Sequence, residues 1–493
     1  MKRTTRSLAK LAALLPVIGW VGSLSAATFY WDADALAGNG ATDGSGSWIN
    51  AASTKNWYDG GRNNSKWPGN AAGTAVFGNG ASGIFTVLLE NNAIKVGALR
   101  FGALSSGRYE IVATDAANGL TLSGATPTVT VHNAGGALIA VKLIGATTGT
   151  GVTKAGAGTL TLTHAASALS GPVNIASGAL AVATLANGGA LSSLGASSNA
   201  AGNLVIHGGA TFAYVGAAAA RTDRLFTLAN NAAEATVAND GSGTLTFSNT
   251  GAVAFDAANR ARTLTLSGTN TGDNLFTLSI GDNGTAQTSL IKRGIGRWAL
   301  SGLSAYTGST LVAEGTLLQN GSAALSAHTV SSGATLGGAG TVGAVTLNAG
   351  AFLSPGASGA GAAGMLSVSG DLLWNAGGVM RFDLGAAGVS DRLLLGGALR
   401  KGGAGAYAFD FLGGGETGAA YTLISGSASS DFSAANFSYV NLRAGLSGMF
   451  SFSGNDLVFT VVPEPREYAL AAGAIAALAA FARRRHRHRH RAA

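Results

Sequence analysis

Short alternating strands separated by glycines fill the stretch 152–182. In residues 159–163 polar and apolar side chains alternate, which is the period-2 pattern of a half-buried strand. Residues 173–175 and 179–182 are two more short pieces of the same kind. The glycines between them stand where a chain must turn and a β-carbon would obstruct: Gly156, Gly158, Gly171 and Gly178. The stretch therefore predicts strand, turn, strand, turn, strand.

The same pattern returns at residues 291–318. Both copies place a lysine two residues before a glycine, and both end with two glycines seven positions apart. The matched residues, first copy and then second, are Lys154 and Lys292, Gly156 and Gly294, Gly158 and Gly296, Leu160 and Trp298, Leu162 and Leu300, Gly171 and Gly308, and Gly178 and Gly315. An internal repeat of this size predicts a solenoid, in which each unit buries its apolar face against its neighbours.

The two copies resemble the autotransporter-associated β-strand repeat. The resemblance rests on K-x-G-x-G-T-L-x-L, a gap, and G-x-x-x-x-x-x-G-x-L, and the good copies cover about sixty residues. It implies the coils of a right-handed parallel β-helix on the bacterial surface. The expected fold class is therefore all-β, a right-handed parallel β-helix, with its solenoid at 94–370.

Composition fits a strand-rich solenoid. Only 11% of the residues are charged, whereas about a quarter is usual. The 76 glycines come with only 7 prolines and no triplet period, which excludes collagen. The chain has no cysteine, so it has neither disulfides nor thiol chemistry. At roughly 20 to 25 residues per coil, 18 to 20 coils and a rod of about 90 Å are expected.

The positive net charge lies at the two ends of the chain. Ten of the 31 lysines and arginines fall in the first ten and the last eleven residues, leaving 21 against 23 acids in the body. Such a body has no broad basic face for phosphate. No nucleic-acid partner is expected.

The N-terminal region predicts export and then a distinct opening segment. Residues 1–27 have a basic start, an apolar run and a small-residue end, the pattern of a signal peptide cleaved after Ala27, with an uncleaved anchor as the alternative. Residues 28–93 contain four tryptophans, interpreted as an aromatic cap on the first coil or else as a sugar-stacking platform: Trp31, Trp48, Trp57 and Trp67. Asp32, Asp34 and Asp43 are interpreted as solvated loop acids rather than a calcium site.

The C-terminal region divides into a second cap and a tail. Residues 371–461 are rich in aromatics and predict a C-terminal β cap. The tail 462–493 begins with Val462, Pro463, Glu464 and Pro465, continues as an apolar run at 468–481, and ends in a basic stop. The arginines that begin the stop are Arg483, Arg484 and Arg485, and three alternating histidines behind them are read as part of it. The run predicts one short transmembrane helix.

This tail resembles the PEP-CTERM sorting signal. The resemblance implies recognition by an exosortase, cleavage near the motif, and delivery to the outer surface or to extracellular polysaccharide. Signal peptidase and exosortase are thus the expected processing enzymes, and the inner membrane is a transient partner through the C-terminal helix.

No catalytic constellation is evident in the sequence. The body histidines are isolated, and the acids are mostly single and in turns, although neighbouring coils could bring Asp383 and Asp391 together. We expect no enzyme, no catalytic or metal-binding residue and no cofactor. The expected function is a secreted structural or adhesive protein of the cell envelope or extracellular polysaccharide. The alternative is a β-helical polysaccharide lyase or glycoside hydrolase.

Overall fold

The structure is a computed structural model. It describes residues 27–464, apart from 52, 62, 70–72, 91–93, 230–233, 357–362, 387–388 and 413, together with 477–480. The described residues form 46 strands and two short 3₁₀ helices, Ala201–Asn203 and Ala434–Asn436, and residues 477–480 are helical. Residues 1–26 of the predicted signal peptide 1–27 lie outside the described residues, as does the tail 462–493 apart from 462–464 and 477–480.

Two long sheets contain most strands of the first half. Sheet 1 runs along the whole body, and its fifteen strands, in spatial order, are Gly46–Trp48, Ser82–Leu89, Ser106–Ala113, Ala137–Ile139, Thr159–Leu162, Gly178–Val182, Ala210–Tyr214, Glu234–Asn239, Arg262–Gly268, Thr288–Lys292, Thr310–Val312, His328–Val330, Val345–Leu347, Leu372–Asn375 and Leu399–Gly402. The eleven strands of sheet 2 are, in order, Ala254–Phe255, Thr227–Ala229, Leu204–His207, Val173–Ile175, Val152–Ala155, Thr128–Val131, Ala98–Phe101, Thr74–Phe77, Thr28–Trp31, Trp57–Tyr58 and Asn64–Ser65.

Three further sheets complete the coils. The ten strands of sheet 3 are Ala220–Thr222, Leu245–Phe247, Asn274–Phe276, Arg297–Leu300, Thr316–Gln319, Thr335–Gly338, Phe352–Pro355, Val379–Phe382, Tyr407–Phe411 and Phe437–Val440. The seven strands of sheet 4 are Ser322–Ala323, Thr341–Val342, Met365–Val368, Arg392–Leu395, Ala420–Ser425, Asp456–Pro463 and Leu446–Ser453. Sheet 5 has three strands, Lys142–Gly145, Gly119–Leu122 and Lys95–Val96.

Each coil stacks in parallel on the one before it. Leu160 pairs with Leu180 and Leu180 with Phe212, so equivalent residues recur coil after coil along sheet 1. Antiparallel pairing among the described strands occurs only near the two ends, at 28–65 and 420–463. The predicted all-β architecture of stacked, mostly parallel strands is confirmed.

The interior of the stack is apolar because the strands alternate. In Thr159–Leu162 the two leucines are buried and the two threonines are only half-buried. The buried side chains form one continuous cluster from Trp31 to Val461. A unit with three or four inward residues has no core by itself, so the stacking supplies the burial that stabilises each coil.

The stack is shorter than expected. The longest sheet has fifteen strands rather than 18 to 20, since some coils are long: Phe212 follows its partner Leu180 by 32 residues. At a strand spacing of 4.8 Å this gives a body of about 70 Å rather than 90 Å. A coil of 20 to 25 residues fits the clearest repeat, where Val173 follows its partner Val152 by 21 residues, but not the longer coils.

Within the described part of the chain, no helix has the length and hydropathy needed to cross a membrane. Of the apolar run 468–481 only residues 477–480 are described, so the predicted transmembrane helix stays a prediction.

Candidate functional site

The lysine of the repeat is buried at a corner between two strands. Lys154 is completely buried, and its Nζ donates to the carbonyl oxygens of Ala155, Gly156 and Ser177 at 3.1, 2.8 and 2.9 Å. An ammonium group has three donors, so all three are satisfied. Ser177 belongs to the next coil, and the lysine therefore joins two successive coils at their turn.

The second copy repeats this geometry. Lys292 is also completely buried, and its Nζ donates to the carbonyl oxygens of Arg293, Gly294 and Glu314 at 2.8, 2.7 and 3.1 Å. Burial lowers the pKa of Lys154 and of Lys292 to about 8, and the nearby carboxylate of Glu314 acts in the opposite direction at Lys292. The same three-acceptor arrangement occurs at two places, and it gives a physical reason for the lysine and glycine of the K-x-G pattern.

The glycines of the repeat allow the two coils to approach closely at this corner. A β-carbon on Gly178, which has φ +67°, would lie 2.4 Å from the Gly156 oxygen, the same oxygen that accepts from Lys154. A β-carbon on Gly315, with φ +65°, would lie 2.4 Å from the oxygen of Gly296 and 2.5 Å from that of Gly294. Lysine and glycines together form one unit, which we call the lysine corner.

The remaining repeat residues are either buried or closely packed against the backbone of the preceding coil. The inward positions Leu160, Leu162, Trp298 and Leu300 are all buried. Gly158, Gly171, Gly296 and Gly308 each face a backbone oxygen that an added β-carbon would contact at 2.7 Å or less.

The two lysine corners lie on different edges of the stack. In the first copy the lysine strand is in sheet 2 and the leucine strand in sheet 1, whereas in the second the lysine strand is in sheet 1 and the tryptophan strand in sheet 3. The unit therefore fits more than one corner of the coil. Matching the two repeat copies in the sequence identifies these residues, but it indicates neither their burial nor this change of edge.

The outer surface of sheet 1 presents an uncharged strip. Thr159, Ala179, Thr211 and Thr236 are paired in successive strands and are half-buried, so they form one outward column. Thr265 continues the column but is buried, and its hydroxyl donates to the Glu234 carboxylate. A column of alanines lies beside it. Its members are 4–6% exposed and form a small buried cluster separate from the main core: Ala181, Ala213 and Ala238. We call these two columns the threonine–alanine strip.

A cavity of about 160 Å³ lies where the strip begins. Thr159 and Thr161 line it together with Leu138 and with Arg108, which forms an ion pair with Glu110 at 2.7 Å. The half-buried Thr159, Thr211 and Thr236 carry hydroxyls that solvent can reach on this face. Such a surface suits many weak contacts with an extended, neutral ligand.

The four N-terminal tryptophans point into the core. Trp31, Trp48, Trp57 and Trp67 are 2% exposed or less, with ring centroids such as those of Trp57 and Trp67 only 4.7 Å apart. The sugar-stacking alternative for these rings is therefore wrong in this fold, since a sugar needs an accessible ring face. The rings fill the first coils instead.

The N-terminal acids are held in hydrogen bonds. Asp32 is completely buried, accepts from the Thr42 amide and from the side chain of Asn64, and has its pKa raised by burial. Asp43 accepts from the amides of Asn79 and Ala81 at 2.8 and 3.0 Å. Interpreting Asp32 as a solvated loop acid was wrong, because the opening segment folds over it.

Asp383 and Asp391 do lie together, at the two ends of a turn. One Asp391 oxygen accepts from the Asp383 amide and the other from the Gly364 amide, each at 2.9 Å. Burial raises the pKa of Asp391 to about 6, and the charge of Asp383 adds to this. A cavity of about 410 Å³ lies beside the turn, lined by Arg392, Tyr421 and their neighbours. Asp391 itself is 3% exposed and both of its oxygens are engaged, which favours a turn-closing role.

The raised pKa predicts a pH-dependent stability. The folded state holds the Asp391 proton between pH 4 and 6 while the unfolded state has lost it, so this stabilisation is present below pH 4 and is lost as the pH rises through 6. The difference in unfolding free energy between the natural protein and Asp391→Asn should therefore fall by about 1–2 kcal/mol from pH 4 to pH 7. Denaturant titrations at both pH values measure it, and a constant difference would contradict the prediction.

The predicted sorting motif begins inside the fold. Val462 and Pro463 end the strand Asp456–Pro463, where they pair with Ser447 and Leu446, and the Glu464 amide donates to the Gly445 oxygen at 3.0 Å. Pro465, Arg483, Arg484 and Arg485 lie outside the described residues.

Comparison with known proteins identifies the class of the repeat. The model described as passenger-associated-transport-repeat matches residues 152–182 and 290–318, the two segments that carry the lysine corners. The predicted resemblance to the autotransporter-associated repeat is thereby confirmed.

A relative carries the same type of sequence. "Adhesin BmaC autotransporter" of Brucella suis biovar 1 (strain 1330) is 48% identical to this chain over 138 residues, which are 28% of this chain and 4% of the relative. The chain thus matches only a small part of the relative's length.

Proposed function

We propose that this protein is a non-catalytic, surface-delivered adhesive solenoid. The observation that carries the proposal is a pair of passenger-type repeats that form equivalent lysine corners in one continuous parallel stack. The similarity to an adhesin autotransporter supports the adhesive role. A stack of coils suits this role because it holds a long, regular surface away from the cell.

The proposed organisation assigns one task to each part of the chain. Residues 1–27 direct export, 28–93 close the first coil, 94–370 form the right-handed solenoid, 371–461 close the last coil and 462–493 direct sorting. Buried aromatic clusters at both ends support the two caps, with Trp57 against Trp67 at 4.7 Å and Phe411 against Phe459 at 4.6 Å. Large rings there shield the apolar axis from water.

The proposed ligand is extracellular polysaccharide, bound along the threonine–alanine strip. A strand of the strip contributes at most one or two hydroxyls, so a single contact is weak. Contacts repeated every 4.8 Å along one polymer chain add through effective concentration, and affinity grows with the number of coils engaged. The processing partners in this proposal are signal peptidase and exosortase, with the inner membrane as a transient anchor.

The rival function is a polysaccharide lyase or glycoside hydrolase. Asp391 favours this rival function, because its carboxyl group has a pKa of about 6 and lies beside a cavity. A panel of glycans incubated with the protein separates the two functions: new reducing or unsaturated ends that Asp391→Asn abolishes would establish the enzyme and contradict the adhesive proposal.

The sorting signal is tested by replacing Pro463, Glu464 and Pro465 with alanine. We expect at least a tenfold loss of surface protein and accumulation of the uncleaved chain in the inner membrane, since the processing enzyme no longer recognises the motif. Fractionation with immunoblotting of a body epitope measures both pools.

A matched control replaces two polar residues in the neighbouring strand. Alanine at Ser451 and Ser453 changes the same hairpin but leaves the motif and its partners intact, so delivery should stay within twofold of the natural level. Unchanged surface delivery of the motif variant would contradict the sorting proposal.

A further inference from the structure

Two neighbouring strands of sheet 4 separate on one side of the stack. Arg392–Leu395 and Ala420–Ser425 lie next to each other, but they pair at only two positions, near the end of the second strand. The second strand also shifts its register against its other neighbour between Thr422 and Ile424. An irregularity of this kind bends a strand and re-aims its side chains. The first part of Ala420–Ser425 therefore diverges from Arg392 and leaves an opening.

The cavity of about 410 Å³ beside the Asp383–Asp391 turn lies at this opening. Its lining comes from the beginnings of three adjacent strands and from the turn before the second of them, with side chains that include Met365, Ser390, Arg392, Tyr421 and Thr422. Pockets that hold small ligands have volumes of about 300–1,000 Å³. The cavity is therefore large enough for a small polar group such as one sugar unit.

The cavity contains a positive charge that no carboxylate neutralises. Arg392 is exposed, and its Nη2 lies 3.3 Å from the sulfur of Met365. In the part of the chain that the structure describes, all ion pairs of arginines belong to other arginines. The neighbouring residues outside that part, 357–362 and 387–388, are only alanine, glycine and serine, so they bring no carboxylate. The guanidinium is thus available to an anion from solution.

Two hydroxyls next to the guanidinium are also available. Ser390 and Thr422 are half-buried, and among the described residues neither hydroxyl is engaged in a hydrogen bond. The Tyr421 hydroxyl differs, since it accepts from the Glu416 amide at 2.8 Å and donates to the Gly385 oxygen at 2.9 Å. A guanidinium pairs with a carboxylate through two parallel hydrogen bonds, and a hydroxyl can both donate and accept. These groups match a ligand that carries a carboxylate among hydroxyls.

We propose that this cavity binds a uronic acid unit of an acidic polysaccharide, with Arg392 on the sugar carboxylate and Ser390 and Thr422 on its hydroxyls. A single guanidinium balances the single charge of a carboxylate. A doubly charged phosphate would need further cations, whereas the turn beside the cavity supplies the acids Asp383 and Asp391. This inference rests on the proposed polysaccharide-binding function and adds to it a charge-selective site outside the threonine–alanine strip.

The test compares a trimer of galacturonic acid with its methyl ester, which has the same rings but no charge. Titration calorimetry of the natural secreted protein at low ionic strength should show binding of the acid about tenfold tighter than binding of the ester. Arg392→Gln should remove this preference. Arg392→Lys should keep part of it, because the charge remains while the planar pair of donors is lost. Added salt should reduce the preference of the natural protein.

Arg400→Gln is the matched control. Arg400 is also an exposed arginine, but it already lies 3.5 Å from a carboxylate oxygen of Asp371 and 3.7 Å from one of Asp431. This variant should keep the natural preference, and circular dichroism should show the natural fold for both glutamine variants. Equal affinity of the natural protein for acid and ester, or the same loss in both variants, would overturn the inference. Tighter binding of a sulfated trimer than of the acid would overturn the choice of a carboxylate.

The outcomes also separate this inference from the proposed function. A natural protein that extracellular polysaccharide retains, but that binds the acid and the ester equally, overturns the inference alone. A natural protein that is not retained and binds neither trimer overturns the proposed function and the inference together.

Discussion

Gly315→Ala is expected to destabilise the protein by more than 4 kcal/mol or to prevent its folding. The added methyl would lie 2.4–2.5 Å from two backbone oxygens of the preceding coil, and the φ of +65° is itself unfavourable for alanine. The Gly294 oxygen cannot move without disturbing Lys292, since it accepts from the Lys292 Nζ. Denaturant unfolding followed by circular dichroism measures the loss.

Two other glycines separate the destabilisation caused by close contact from the destabilisation caused by a positive φ. Gly333 has φ +79° but no atom within 4 Å of an added β-carbon, so Gly333→Ala should cost only about 1 kcal/mol. Gly202 has neither a positive φ nor an atom within 4 Å of an added β-carbon. The unfolding free energy of Gly202→Ala should therefore be within about 0.5 kcal/mol of that of the natural protein. An equal effect at Gly315 and Gly333 would show that the coils do not approach as closely as described.

Lys292→Met is expected to destabilise the protein by about 3 kcal/mol or more. Methionine fills much of the same volume, but three carbonyl oxygens at a buried corner lose their donor. Lys154→Met should act in the same way, because its geometry is equivalent. Unfolding free energies at pH 7.5 measure both effects.

The pH dependence of stability distinguishes a buried ammonium group at Lys292 from a side chain that only fills space. The folded pKa of Lys292 is lowered to about 8, so between pH 8 and 10.5 the unfolded state binds more protons. The natural protein should therefore gain stability relative to Lys292→Met as the pH rises through this range. Lys95 is exposed, and Lys95→Met should change neither the stability nor its pH profile. A pH-independent difference at Lys292 would contradict a buried ammonium group.

Strand positions could be predicted well from the sequence because alternation is a local property. Thr159–Leu162 and Arg262–Gly268 show period 2 directly, and their inward leucines are buried as that pattern requires. The repeat predicted stacking for the same reason: a short unit with one apolar face needs a neighbour. These inferences required no knowledge of which strands meet.

Long-range placement could not be predicted in this way. The local pattern does not mark Lys154 and Lys292 as buried, and their burial becomes clear only when the next coil supplies a third carbonyl oxygen. Trp48 and Asp32 are equally ambiguous, since ring and carboxylate burial depends on how the opening segment packs over them. Loop lengths set the number of coils, and glycine-rich loops carry no alternation to count.

The proposed adhesive role is tested most directly by measuring how much of the mature protein adsorbs to extracellular polysaccharide of its own cells. We predict saturable retention without new reducing or unsaturated ends, and a loss of about tenfold in affinity for Thr211→Asp/Thr236→Asp, which places charge on the threonine–alanine strip. Thr128→Asp/Thr130→Asp, on the outer side of sheet 2, should bind as the natural protein does. Absence of retention, equal loss in both variants, or release of new chain ends would contradict the account.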